Sequence, residues 1–189
     1  MLDNIIDKNI MFIQNHGVKI DGDEDKAVYK YGMQILYYYI IDLAVIFSFA
    51  AVFGKLYETA VMAFIFALFQ VFGGGYHAKT ALRCLLAMIA GAALGNILII
   101  IFAGHPALNI ALAVVSSSII LILTPVANKK HPVSKKIKQR SKLIIRLAVI
   151  LILTVIIISA YFDKTVITAA ISVTTGLYLI SLIIAKIKK

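Results

Sequence analysis

Cysteine is almost missing from this chain, whose 189 residues include only one, Cys84. A single thiol excludes an internal disulfide framework and a metal site built from several thiolates. The histidines are too few and too scattered to complete a metal site around it, so neither a metal nor a cofactor is predicted. A Gly-x-Ser-x-Gly sequence is also missing, and of the aspartates only Asp42 and Asp163 approach the apolar runs. These gaps disfavour an intramembrane serine or aspartate protease.

Charged residues are scarce as well, at 15% of the chain against 61% hydrophobic residues. Soluble domains have an apolar share of about 45–50%, so the composition predicts a membrane protein. The formal net charge is +10, but the cations lie between the apolar runs, where they set topology and bind anionic membrane lipids. A nucleic-acid partner is therefore not predicted.

Six apolar segments have close to the ~20 residues that a helix needs to cross a bilayer. They cover approximately residues 35–53, 57–72, 82–102, 106–126, 143–162 and 165–185. The sequence predicts an all-α, polytopic membrane protein with six transmembrane helices and an N-terminal amphipathic helix. We expect a single membrane domain over 1–189, with cytoplasmic or interfacial N-terminal helices in 1–34, a six-helix bundle in 35–185, and cytoplasmic loops at 73–84 and 127–142.

The N-terminal segment 2–16 places its isoleucines close to one helical face. This pattern is typical of a short helix in the membrane interface, and a soluble cap packed on the bundle fits it equally well. The acidic, glycine-containing stretch 21–25 offers helix caps and ends this first unit.

The positions of the cations predict the orientation of the spans. With the N-terminus in the cytoplasm, only Lys55 and Lys164 lie outside, whereas the other cations of the termini and connecting segments lie inside. Because cytoplasmic loops carry an excess of lysine and arginine, we expect both termini and the segment 73–84 at the cytoplasmic face.

The segment 73–84 holds the residues best suited to chemistry. A cysteine thiolate is a nucleophile, and a nearby imidazole can take its proton and later deliver one to a leaving amine. In one unbroken helix the seven positions from His77 to Cys84 would rise about 10.5 Å, whereas proton transfer needs about 3 Å. The helix must therefore be broken, or His77 folded back, and Gly73, Gly74 and Gly75 supply the backbone freedom.

Thr80 is a candidate cap for the helix that follows. It would put Cys84 in or just after the first turn, where the positive end of the helix favours a thiolate. The neighbouring cations Lys79 and Arg83 act in the same direction. The alternative interpretation is that Cys84 is one more small buried residue and that His77 is an interfacial side chain.

These residues resemble those of a known family. Gly74-Gly75-Tyr76-His77-Ala78, followed after six residues by Cys84, closely resembles the signature of the accessory gene regulator B (AgrB) family of bacterial membrane peptidases. Two further stretches add to the resemblance, Tyr31-Gly32-Met33-Gln34 and Pro125-Val126-Ala127-Asn128-Lys129-Lys130-His131-Pro132. Together with the six-span layout, the resemblance covers essentially the whole chain.

The resemblance implies a cysteine endopeptidase of the bacterial cell membrane that processes the AgrD-type precursor of a cyclic quorum-sensing peptide. Cys84 would be the nucleophile and His77 the general base and acid. The acyl group held as a thioester would pass to a side chain of the precursor, closing a thiolactone or lactone ring. The resemblance also implies a homodimer as one oligomeric state.

One position departs from the family pattern, because Gln70 stands where members carry an arginine. The arginine's contact is then missing, moved to Arg83 or replaced by a neutral hydrogen bond.

A third catalytic group is predicted less directly. Gln34, Tyr38 and Asp42 form a polar stripe on the first span, and Gln34 either orients His77, donates to an oxyanion or only joins helices. Asp42 is expected to pair structurally with Arg146.

The densest cationic run extends from Lys129 to Lys142 and sets topology and lipid binding. Lys129 and Lys130 are in addition predicted to bind acidic residues of the precursor tail, with Lys79 and Arg83 as further substrate-binding candidates.

The alternative function is a small peptide or lipid transporter or channel component, and a third is a non-catalytic scaffold. For transport, the polar positions within the spans are Asn96, Ser116, Ser117, Ser118, Thr168, Ser172, Thr174 and Thr175.

Overall fold

The computed structural model describes residues 2–18, 20, 22–76, 80–126 and 135–187. Within these ranges every regular element is a helix. The helices of this part of the chain are α1 (Leu2–Asn15), α2 (Gly22–Val52), α3 (Leu56–Gly73), α4 (Ala81–Phe102), α5 (Pro106–Leu123), α6 (Lys135–Tyr161) and α7 (Thr165–Ile187). Helices α2 to α7 supply 6 segments long and apolar enough to cross a membrane. The predicted all-α architecture with six candidate spans is confirmed.

Two helices extend well beyond their apolar runs. α2 begins at Gly22 and α6 at Lys135, whereas the apolar runs begin near residues 35 and 143. The added part of α6 is rich in lysine, arginine and glutamine, which are good helix formers. The hydrophobic pattern marks only the length of helix that suits the bilayer. α5 instead ends at Leu123, just before Pro125, because the residue preceding a proline is disfavoured in a helix.

The chain divides into two compact units, residues 1–46 and 47–189. In the first unit, α1 buries one apolar face against α2. Its core consists of Ile6, Ile10 and Ile20, with Met33 and Tyr37 packed against them. The Lys30 ammonium lies 3.1 Å from the Asp7 carboxylate, and the Asn9 side chain donates to the Tyr37 hydroxyl. The predicted amphipathic helix is present, and its apolar stripe packs on α2. The single membrane domain expected over 1–189 stays a prediction.

The second unit is built around α7. This helix contacts α3, α4, α5 and α6, and its run from Thr168 to Thr175 is buried throughout. Small side chains dominate that run, as they do where membrane helices approach closely. The main core around α7 includes Phe69, Ile120, Ile145, Ile152, Ile156, Tyr178 and Leu182.

The polar residues within the spans mostly form hydrogen bonds to a neighbouring helix or to carbonyls of their own helix. Ser172 donates to Asn109 Oδ1 at 2.7 Å, and Asn109 Nδ2 donates to the Phe102 carbonyl at 2.8 Å. Thr174 and Ser118 donate to carbonyls of their own helices. In a bilayer such groups must be satisfied within the protein. Their arrangement is that of helix packing, which weakens the case for a transport pathway made from them.

Candidate active site

The predicted break lies between α3 and α4. α3 ends at Gly73, and α4 does not begin until Ala81. The first residue past α3, Gly74, has φ 75° and ψ −174°, a backbone region that essentially only glycine enters. We call residues 73–76 the glycine segment. A single helix through this region is therefore excluded, as the rise from His77 to Cys84 required.

The other two glycines of the segment lie close against the side chains of other residues. A methyl group on Gly73 would overlap the Tyr178 hydroxyl, and one on Gly75 would overlap Gln70 Oε1. Gly74 itself lies against the chain beyond α5, since a methyl group there would be 3.2 Å from the Val126 carbonyl oxygen. The three glycines thus allow close approach of surrounding groups as well as a change of chain direction.

Hydrogen bonds from two distant residues, Tyr178 and Val126, hold this backbone. The Tyr178 hydroxyl lies 2.7 Å from the Gly74 carbonyl oxygen and 3.0 Å from that of Phe69, so that its one hydrogen is shared. Val126 N–H donates to the Gly73 carbonyl at 2.9 Å. The bond from Val126 satisfies a carbonyl that the end of α3 leaves without a helical partner, and Tyr178 bonds to the carbonyl of the first residue past the helix. Each bond contributes about 1 kcal/mol net, and leaving such a buried carbonyl unpaired costs about 1–3 kcal/mol.

Tyr76, the last described residue before His77, is held by both backbone groups. Its N–H donates to Ser181 Oγ at 3.3 Å, and its carbonyl accepts from Gln70 Nε2 at 3.3 Å. A neutral hydrogen bond from Gln70, one of the three possibilities for this position, is therefore present, and that it replaces an arginine's contact stays a prediction. The bond goes to the backbone directly before His77.

Cys84 lies at the start of α4. Thr80 Oγ1 accepts from Arg83 N–H at 3.3 Å, and Cys84 N–H donates to the Thr80 carbonyl at 3.1 Å. Thr80 is therefore the N-cap that the sequence predicted, and Cys84 lies one residue beyond the hydrogen bond that caps the first turn. Its side chain is half-buried. At this position a negative charge is stabilised by the positive end of the helix dipole.

The links between the glycine segment and α4 are short. Residues 77–79 join Tyr76 to Thr80, so the two Cα atoms are at most about 14 Å apart.

A comparison with models of known protein families matches residues 6–183 to accessory gene regulator B. This chain belongs to the AgrB family. The resemblance carried by the motif around His77 and Cys84 is confirmed over nearly the whole chain. No curated protein and no solved structure gives a significant match.

Membership in the AgrB family implies a part in processing the peptide of the agr quorum-sensing system, with an AgrD propeptide as the partner. Together with the six candidate spans, it makes the chain a multi-pass membrane protein. In this AgrB protein the predicted residues Cys84 and Arg83 lie in the first turns of α4, and the three glycines lie at and just beyond the end of α3. Arg83 is exposed beside Cys84.

Four predicted site residues lie outside the described residues, namely His77, Lys79, Lys129 and Lys130. Gln34 is half-buried on α2 in the first unit, and its role toward His77 and Cys84 stays a prediction. Over the described ranges, no three histidine, cysteine, aspartate or glutamate side chains form a group that could hold a metal ion.

Two residues of the site escaped the sequence analysis, Tyr178 and Ser181. Both lie on α7, more than a hundred positions beyond Gly74 and Tyr76, which they respectively contact. A signal was available for Tyr178, since it is the one aromatic residue of α7. A hydroxyl carried into an apolar span needs a partner there, although the pattern does not say which.

Proposed function

We propose that this AgrB protein is a membrane-embedded cysteine endopeptidase that cleaves the C-terminal tail from its AgrD-type propeptide and allows the remaining peptide to close into a ring. Cys84 is the nucleophile and His77 the general base and acid. The observation that carries the proposal is the position of Cys84, half-buried at the capped start of α4. The end of α3 at Gly73 and the start of α4 at Ala81 further support the proposal, because His77 falls between these two residues in the sequence.

In the first step, His77 accepts the thiol proton and Cys84 Sγ attacks the carbonyl carbon of the scissile peptide bond. When the tetrahedral intermediate collapses, the carbon–nitrogen bond breaks and His77 returns the proton to the leaving amine of the tail. The N-terminal part of the precursor then remains on Cys84 as a thioester.

In the second step, a cysteine or serine side chain of the precursor attacks the thioester carbonyl. His77 accepts the proton of that side chain, the bond to Cys84 Sγ breaks, and the proton returns to the departing thiolate. The product is a thiolactone or a lactone. Water must be kept from the thioester during the transfer, and the edge of a membrane bundle suits that need.

Other groups support these steps in the proposal. Gln34 orients His77 or donates to the oxyanion, as a neutral amide can. Lys79, Arg83, Lys129 and Lys130 bind the precursor. The site and both termini face the cytoplasm, where the cationic segments meet anionic lipids. A homodimer is the proposed assembly.

The test uses the single cysteine as its own reporter. The purified protein in anionic liposomes is mixed with its AgrD-type precursor, and intact mass spectrometry follows the protein and the peptides. We expect a hydroxylamine-sensitive adduct on Cys84 with the mass of the precursor less its tail, and neither adduct nor free tail with Cys84→Ala or His77→Ala. Processing by Cys84→Ala at the wild-type rate would overturn the mechanism.

The orientation is tested separately with an impermeant maleimide. In inside-out vesicles it should label Cys84, and labelling only in right-side-out vesicles would reverse the proposed orientation.

Substrate recognition by Lys129 and Lys130 gives a separate prediction. The Val126 N–H bond to Gly73 brings the chain to the glycine segment only three residues before Lys129, which supports a role near the site. We expect that Lys129→Glu with Lys130→Glu slows cleavage of an acidic tail by about tenfold or more, or ~1.4 kcal/mol. A tail with its acidic residues neutralised should lose much less, because the repulsion is then absent.

The matched control reverses two exposed cations of α6, Lys138→Glu with Arg140→Glu, and should leave both tails almost unaffected. Cleavage rates measured for the two tails with each variant decide the matter. Equal slowing of the acidic and neutralised tails by the Lys129 and Lys130 changes would contradict recognition of tail charge.

A further inference from the structure

α7 contacts the glycine segment through two hydroxyl groups. Tyr178 reaches the Gly74 carbonyl at 2.7 Å, and Ser181 Oγ accepts from Tyr76 N–H at 3.3 Å. The two contacts lie two residues apart in the segment, so they restrain both its position and its direction. From α3, the Gln70 side chain adds a bond to the Tyr76 carbonyl at 3.3 Å.

The Tyr178 hydroxyl is itself held in place by its ring. Tyr178 is 0% exposed, and its ring stacks on Phe69 with 5.0 Å between centroids and 18° between planes. Phe66 meets the same ring edge-on at 5.8 Å. A buried aromatic side chain that packs against two other rings has little rotational freedom. The hydroxyl is therefore a fixed point for the Gly74 carbonyl rather than an adaptable partner.

We propose that Tyr178 and Ser181 are positioning residues, through which α7 sets the backbone that carries His77 toward Cys84. The inference rests on the proposed function, because it assigns these hydroxyls a task only if His77 acts on Cys84. Tyr76 directly precedes His77, so a displaced Tyr76 displaces the start of the histidine's own backbone. Neither hydroxyl touches the substrate in this role, and a small misplacement of a reacting group can cost up to about a hundredfold in rate.

A double-mutant cycle on the sole cysteine tests this proposal without the precursor. The rate of Cys84 alkylation by iodoacetamide is measured for wild type, Tyr178→Phe, His77→Ala and the double variant. Tyr178→Phe removes only the hydroxyl and keeps the ring that contacts Phe66 and Phe69. We expect His77→Ala to slow alkylation by about tenfold or more, and Tyr178→Phe by about three- to tenfold. In the His77→Ala background, Tyr178→Phe should have no further effect, because residues that act through one another are non-additive.

The matched control is Thr174→Val. Thr174 is equally buried on α7, but its hydroxyl bonds to the Ala170 carbonyl of the same helix at 2.6 Å, so its loss leaves the glycine segment untouched and should leave alkylation unchanged. With the precursor, Tyr178→Phe should lower kcat while KM changes less than twofold. Should Tyr178→Phe fail to fold, Ser181→Ala takes its place in the same cycle with the same expected pattern.

The outcomes separate the two proposals. If His77→Ala reacts as fast as wild type, the dyad is wrong and the positioning role falls with it. If His77→Ala is slow but Tyr178→Phe is not, or if Tyr178→Phe slows both backgrounds equally, the positioning role is overturned while the dyad stands. Slowing of wild type alone, with Thr174→Val unaffected, supports positioning.

Discussion

Replacing Cys84 with alanine is expected to lower the rate of tail release from the AgrD-type precursor by about a thousandfold or more. Without the thiolate no acyl-enzyme forms, and losing the nucleophile of a covalent mechanism removes most of its rate enhancement. The side chain is small and half-buried, so alanine should leave the fold intact. The measurement is the initial rate of tail release in liposomes, followed by mass spectrometry.

A suitable control on the same helix is Met88→Ala, which removes a half-buried sulfur side chain about one turn further along α4. It should retain more than about a third of the wild-type rate, because Met88 takes no part in the chemistry. In a transporter or a scaffold, activity would not depend on Cys84, since neither function needs a nucleophile. Tail release by Cys84→Ala within about tenfold of wild type would remove the case for covalent catalysis.

Gly74→Ala is expected to have the next largest effect, lowering kcat by about a hundredfold. Residues other than glycine pay about 1–3 kcal/mol in such a backbone conformation, and the added methyl group would also press on the Val126 carbonyl at 3.2 Å. The chain will relax by moving the backbone that leads into His77. Small misplacements of a catalytic group produce rate losses of this size.

Gly91→Ala provides the matched comparison, because a methyl group at this position within α4 would have no atom within 4 Å. It should leave the rate unchanged, since alanine suits a helix interior better than glycine. Steady-state kinetics and thermal unfolding of both variants in the same detergent supply the data. If Gly74→Ala keeps wild-type kcat, then the exact course of the glycine segment does not matter for catalysis.

Much of the architecture could be predicted because local chemistry decides it. A helix that crosses a bilayer must be long and apolar. The six apolar runs of this sequence meet both requirements. The break before α4 followed from helix geometry, since one helix holds His77 and Cys84 too far apart. The Thr80 cap followed from the preference of hydroxyl side chains for helix starts. Each of these depends on residues close together in the chain.

The ends of the helices were harder to predict. Hydropathy identifies the part of α6 that suits lipid, but the helix begins earlier, at Lys135. The charged residues of this earlier part are good helix formers, and a hydropathy pattern does not detect them. Likewise, the stripe on the N-terminal helix was compatible with burial in lipid or in protein. Its packing against α2 depended on which apolar surface lay within reach.

What the sequence by itself determined, then, is a membrane protein of six candidate spans with a lone thiol at a helix start after a glycine break. Only the tertiary structure decided why three glycines stand there. Gly73 makes room for the Tyr178 hydroxyl and Gly75 for Gln70, while the Gly74 carbonyl accepts from Tyr178, 104 positions away. No local pattern encodes such a pairing, because it arises when α7 packs at the centre of the bundle and brings its hydroxyls to the end of α3.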